Sequence, residues 1–108
     1  MSKVITSPIA RWEGTVTIAD PLTIPQAQLI ENGMKRPEGH EGEERIFFSI
    51  IDEMRLPAVL GCVEKWELAN FTPDPFPGSP RLDSHKLIEW IFNEIQAVYL
   101  GEAVVPNE

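Results

Sequence analysis

Two histidines, one cysteine and seventeen carboxylates are the obvious candidates for chemistry in this 108-residue chain. His40 opens a His-Glu-Gly-Glu-Glu run over 40–44, a set of hard ligands that suits a divalent cation. A metal site needs a rigid frame to hold its coordination geometry. All of this run but Glu44 falls instead in residues 35–43, which hold no apolar residue, one proline and two glycines. A mobile, solvated acidic loop is the expectation there, and no metal site. His85 falls in the first turn of the last expected helix, where positive charge is disfavoured, and reads as a surface residue. Asp52-Glu53 and Glu64/Glu67 read as solvated helix faces, because paired acids do acid–base work only when burial separates their pKa values. Gly39-His40-Glu41-Gly42 lacks both the lysine and the strand-to-helix setting of a phosphate loop. Cys62 stands alone, which excludes an internal disulfide and a cysteine metal frame. No catalytic residue and no cofactor is expected, and the chain reads as a non-enzyme.

Large aromatics outside the expected core stripes are more informative. Trp90 projects about 60° from the apolar face of the last helix, among Lys86, Asn93 and Ala97. Phe48 is displaced in the same way on the central helix, and Phe76 is held in a proline-rich stretch. Aromatics anchor interfaces, so Trp90, Phe76 and Phe48 are the candidate protein-binding residues. The competing reading places Trp90 against the proline-rich stretch as the edge of a core.

The elements that must position these residues follow from spacing. Trp12, Gly14, Val16 and Ile18 alternate with Arg11, Glu13, Thr15 and Thr17, the period of a half-buried strand. Val4-Ile5-Thr6 is its expected antiparallel partner, with Pro8 at the edge or turn. Thr23 offers a helix cap and Pro25 fits the first turn, predicting a helix from Ile24 to Asn32 that stops at Gly33. Ile46, Phe47, Ile50, Ile51 and Met54 form the apolar arc of a central helix, opposite Arg45, Ser49, Asp52 and Glu53. Pro57 is expected to break or restart that helix, after which Val59, Cys62, Val63 and Trp66 share a helical face, with Cys62 a small core residue. Residues 71–82 hold four of the ten prolines and read as extended and stiff. A last helix over 83–100 carries the stripe Leu87, Ile88, Ile91, Phe92, Ile95, Val98 and Tyr99, capped by Asp83 or Ser84 and stopped at Gly101. The expected fold is a single α+β domain: a strand-rich segment over 1–20 with a small β-hairpin, then three helical segments, the middle one broken at Pro57.

Composition narrows the function classes. Nine bases against seventeen acids leave a net charge of −8, a poor match for phosphate backbones, so no nucleic-acid partner is expected. Residues 1–36 carry four bases and three acids, so nearly all the acidity lies in 37–108. No apolar run approaches the ~20 residues of a membrane helix, and no membrane partner is expected. The lone cysteine and the absence of a signal-like stretch point to a reducing cytoplasm.

Several phrases of the sequence occur together in one known group. Val4-Ile5-Thr6-Ser7-Pro8 and Arg11-Trp12-Glu13-Gly14-Thr15-Val16 open the chain. Leu56-Pro57-Ala58, Cys62-Val63-Glu64-Lys65-Trp66, Leu68, Phe76-Pro77 and Leu87-Ile88-Glu89-Trp90-Ile91 follow. Taken together they resemble the tail assembly chaperones of long-tailed bacteriophages. The resemblance implies a non-enzymatic role in the host cytoplasm: binding the tape measure protein and helping tail tube subunits polymerise around it. It carries over no catalytic residues and no binding residues. That family is often largely helical, whereas the alternation over 11–18 argues for a strand here. Two other classes remain: a structural subunit of the tail or connector that stays in the virion, and a small acidic inhibitor of a nucleic-acid-binding protein. A homo-oligomer is compatible with each.

Overall fold

The computed structural model describes the backbone of residues 2–35 and 48–103 and the side chains of 2–35 and 50–101. The acidic run 40–44, and the expected mobile loop from residue 36 onward, lie outside the described residues. The fold is α+β: a three-stranded antiparallel sheet in the order β1-β2-β3, with three helices. Strands β1 (Ser2–Thr6) and β2 (Gly14–Ala19) pair in the register Lys3↔Ile18 and Ile5↔Val16. Ile5, Val16 and Ile18 are therefore on one face, where all three are buried. Trp12 keeps the inward phase expected of it, but from a short 3₁₀ turn over Ala10–Trp12. The Ser7 N–H donates to the Gly14 carbonyl at 2.9 Å and closes the hairpin.

The third strand departs from the sequence reading. Val63–Leu68 is β3, paired antiparallel to β2, where a helical face through Val63 and Trp66 was expected. The register explains the false helical spacing. Ile18 pairs with Val63 and Thr17 with Lys65, so Glu64 is an extra residue in a β-bulge. The bulge shifts the pleat by one residue and turns Val63 and Trp66, three apart, to the same side of the sheet, opposite Ile18 and Val16.

Helix α1 (Ile24–Met34) starts as its sequence dictates. Gln26 N–H donates to Thr23 Oγ1 at 3.3 Å, and Thr23 N–H donates to Gln26 Oε1 at 2.9 Å, a capping box with Pro25 in the first turn. Gly33 does not stop the helix. It lies buried inside the last turn, where an added Cβ would sit 2.5 Å from Phe92 Cε1. Its role is close approach of α1 to α3.

Helix α2 (Phe48–Cys62) runs through Pro57 without a break. Beyond the proline, Ala58, Val59 and Cys62 are wholly buried, and this packing outweighs the backbone hydrogen bond that a proline cannot donate. The ring itself is exposed, so it contributes little packing. Pro57→Ala is expected to stabilise the protein by about 2 kcal/mol, the helix-interior cost of proline less its benefit in the unfolded chain. A thermal unfolding curve checks this, and an unchanged or lower Tm would mean that the helix is already adapted to the ring.

Helix α3 (Arg81–Ala103) begins two residues before Asp83 and passes Gly101. Its stripe matches the expectation residue by residue: Leu87, Ile88, Ile91, Phe92, Ile95 and Val98 are buried and Tyr99 packs against them. Tyr99 also donates to Glu31 Oε2 at 2.6 Å, tying α3 to α1, and this bond to Glu31 raises the phenol's pKa.

Cys62 is a core thiol, and burial pushes its pKa up to about 11 from 9.0. A raised folded pKa means that the unfolded thiol loses its proton first. The associated stability is fully present below pH 9 and lost as pH rises towards 11, at about 1.4 kcal/mol per pH unit where steepest. Cys62→Ala should flatten that part of the stability–pH curve, measured by urea unfolding at about pH 9, 10 and 11, roughly one-unit steps through the window. An unchanged slope would assign the alkaline loss to other groups.

Candidate functional site

Between β3 and α3 the chain must cross the open end of the sheet, and its aromatic residues hold it there. Asn70 takes a left-handed conformation (φ 56°) that asparagine tolerates well and turns the chain out of β3. Phe71 stacks on Trp66 with centroids 5.1 Å apart and meets Trp12 edge-on at 5.6 Å. Phe76 meets Phe71 edge-on at 5.6 Å and Trp66 at 6.2 Å. Four rings from the hairpin turn, β3 and the proline-rich segment thus make one cluster, with contacts worth about 0.5–1.5 kcal/mol each beyond burial.

Phe76, Pro77 and Gly78 form one wall of an open cleft of about 230 Å³. The other wall comes from Asp52, Glu53 and Leu56 of α2 and from Arg81, Ser84 and Ile88 of α3. One of the three sequence-predicted binding residues therefore lines a cleft. Trp90 is half-buried and packs against the main core, and the backbone of Phe48 opens α2 while its side chain lies outside the described residues. A wider depression of about 540 Å³ lies among Pro8–Arg11, Asp83 and Lys86. There Arg11 Nε donates to Asp83 Oδ2 at 3.2 Å, an exposed pair of small energetic weight.

Asp52 lines the cleft, and His85 lies behind it. Asp52 and His85 are both buried. Arg81 Nη2 donates to Asp52 Oδ2 at 2.7 Å, and His85 Nδ1 lies 2.9 Å from Asp52 Oδ1. A carboxylate accepts, so Nδ1–H of His85 is the donor. The two expectations of a solvated Asp52 and a surface His85 are thus corrected together. Each makes the other's burial tolerable, because a buried charge needs a partner. The signal existed in principle: Arg81 and His85 lie four apart on one helical face, spaced to meet one acid from a neighbouring helix. Which acid they would meet depends on tertiary packing.

An Asp–His pair orients an imidazole for proton transfer when a reacting hydroxyl is within reach. Here the Ser84 hydroxyl donates to the Pro80 carbonyl at 3.1 Å, and the cleft wall is formed by Asp52 and Arg81, without the imidazole. The geometry is that of a clamp fixing the start of α3 on α2. Among the described residues no group of three or more His, Cys, Asp or Glu is placed to hold a metal ion. No described helix is long and apolar enough to cross a membrane. Compared with protein-family models, curated proteins and solved structures, the chain gives no match.

Proposed function

We propose that this chain is a non-enzymatic protein-binding assembly factor, and that it acts as a tail assembly chaperone in the host cytoplasm on the tape measure protein and tail tube subunits. The observation that carries the binding role is Phe76. It is a half-buried ring fixed by an aromatic cluster, facing a cleft with Leu56 and Ile88 opposite. A ring held in place loses little freedom when a partner docks, which is what makes an aromatic anchor effective. The phage role draws on the resemblance of the phrases around Trp12, Pro57, Trp66, Phe76 and Trp90 to the chaperone family.

The test is affinity capture from the producing cells, together with protein analysis of purified particles. A chaperone retains a long, helix-rich phage protein or a tube subunit and is absent from particles. Recovery of a host nuclease or polymerase would instead promote the inhibitor reading. Phe76→Ala is expected to weaken capture about 30-fold, the effect of a ~2 kcal/mol anchor, while the protein stays folded. Trp90→Ala separates interface from core edge: a sharply lower Tm with capture retained makes Trp90 a core residue. The alternative of a subunit retained in the virion draws on β1. That strand is at the sheet edge with Val4 63% exposed, positioned to add to a neighbour's sheet. Stoichiometric recovery from particles would favour it.

A further inference from the structure

The cleft beside Phe76 also has an electrostatic character that specifies what fits it. At about 230 Å³ it falls below the roughly 300–1,000 Å³ of small-molecule sites, so it suits a side chain or two of a partner. Leu56, Phe76 and Ile88 supply its apolar lining. Of its charged groups, Asp52 and Arg81 neutralise each other at 2.7 Å, and Arg81 is thereby held to the wall. Glu53 is exposed, lines the same cleft, and makes no ion pair among the described residues. Among the described residues the cleft therefore presents apolar surface with one negative charge, that of Glu53, which no ion pair offsets, on a chain of net charge −8.

We propose that this cleft docks a segment of a partner protein in which a large aliphatic side chain is flanked by lysine or arginine, with Glu53 selecting the basic flank. The aliphatic side chain seats between Phe76 and Leu56, and the flanking cation meets Glu53 at the rim. A rim charge of this kind governs partner choice and salt dependence more than total affinity. The proposal rests on the protein-binding reading above and adds the chemistry of the segment bound.

Two synthetic peptides of about 15 residues test it, a length at which helix is accessible in water but not imposed. Both carry a central leucine; one has lysine on its flanks and the other glutamate. Binding is followed by tryptophan fluorescence, since Trp66 touches Phe76, and by calorimetry. The lysine peptide is expected to bind the wild-type chain at least ~10-fold tighter than the glutamate peptide, a difference of about 1.4 kcal/mol, and to weaken as salt is raised. Glu53→Lys should reverse that preference, and this exposed position leaves Tm unchanged. Phe76→Ala should weaken both peptides. Equal binding of the two peptides, binding of neither, or a preference that survives Glu53→Lys overturns the proposal. The protein-binding reading is judged separately, by whether Phe76→Ala loses the partner captured from cells. Charge-blind peptides with Phe76-dependent capture would sink the basic-segment proposal alone.

Discussion

Replacing Asp52 by alanine is expected to destabilise the protein by about 3 kcal/mol and to lower its Tm by roughly 12–15 °C. Asp52 is 6% exposed, and its two oxygens are engaged by Arg81 and His85. Removing one member of a buried charge cluster costs more than the cluster contributes, because the members left behind stay desolvated. The two partners differ in how they escape. The Arg81 side chain is 44% exposed and can turn to water, so its share of the cost is small. His85 is buried and is left with a ring N–H whose acceptor has gone, a penalty of about 1–3 kcal/mol. Asp52→Asn keeps one acceptor and should cost about half as much. Arg81→Ala should cost about 1 kcal/mol, and less again in the Asp52→Ala background, so the double mutant costs less than the two single variants summed, the signature of a pair that stabilises the fold. A Tm drop under about 3 °C for Asp52→Ala would mean that the cluster is hydrated and does not clamp α3 to α2. The same variant should loosen the wall of the cleft, since the carboxylate holds Arg81 there.

How far these features were legible follows from whether each is local. The α3 stripe was readable because helical period alone fixes which side chains share a face, and Leu87 through Val98 are buried as the spacing requires. The cap of α1 was readable because Thr23 and Gln26 satisfy each other within one turn. β3 was not, because its bulge gives Val63 and Trp66 a spacing of three, which mimics a helix until the pairing with β2 is known. Pro57 misled in the opposite direction: a strong local rule was overridden by the burial of Ala58, Val59 and Cys62. The site divides in the same way. Phe76 stood out as an aromatic stranded among prolines. Asp52 and His85 did not stand out, since their burial comes from a contact across 33 positions of sequence.

Gly14→Ala should be the most damaging of the single-methyl additions, at about 3–5 kcal/mol, enough to remove much of the stability of a domain this size. Two independent penalties coincide there. Gly14 has φ +136°, outside the region that residues with a Cβ populate. The added methyl would also sit 2.0 Å from the Glu67 carbonyl oxygen and 3.1 Å from Leu68 Cα, both of which are backbone. Neither obstacle can rotate away, because Gly14 pairs with Leu68 in the ladder and the adjacent Ala69 N–H donates to the Glu13 carbonyl at 2.8 Å. Gly33→Ala is the graded comparison. Its methyl meets Phe92 Cε1 at 2.5 Å, and since that obstacle is a side chain the expected cost is smaller, about 1–3 kcal/mol. Gly78→Ala, with nothing within 4 Å, should be neutral or stabilising by up to ~1 kcal/mol. Urea unfolding of the three variants checks the order, and a Gly14 variant as stable as the Gly78 one would mean that β2 and β3 do not meet in this register. The consequence reaches the cleft through the aromatic cluster. Gly14 sets how closely β2 approaches β3, β3 carries Trp66, and Trp66 with Trp12 holds Phe71 and Phe76 in place. Partner capture should therefore fail in Gly14→Ala even at temperatures where the chain still folds, whereas in Gly78→Ala both stability and the aromatic cluster survive.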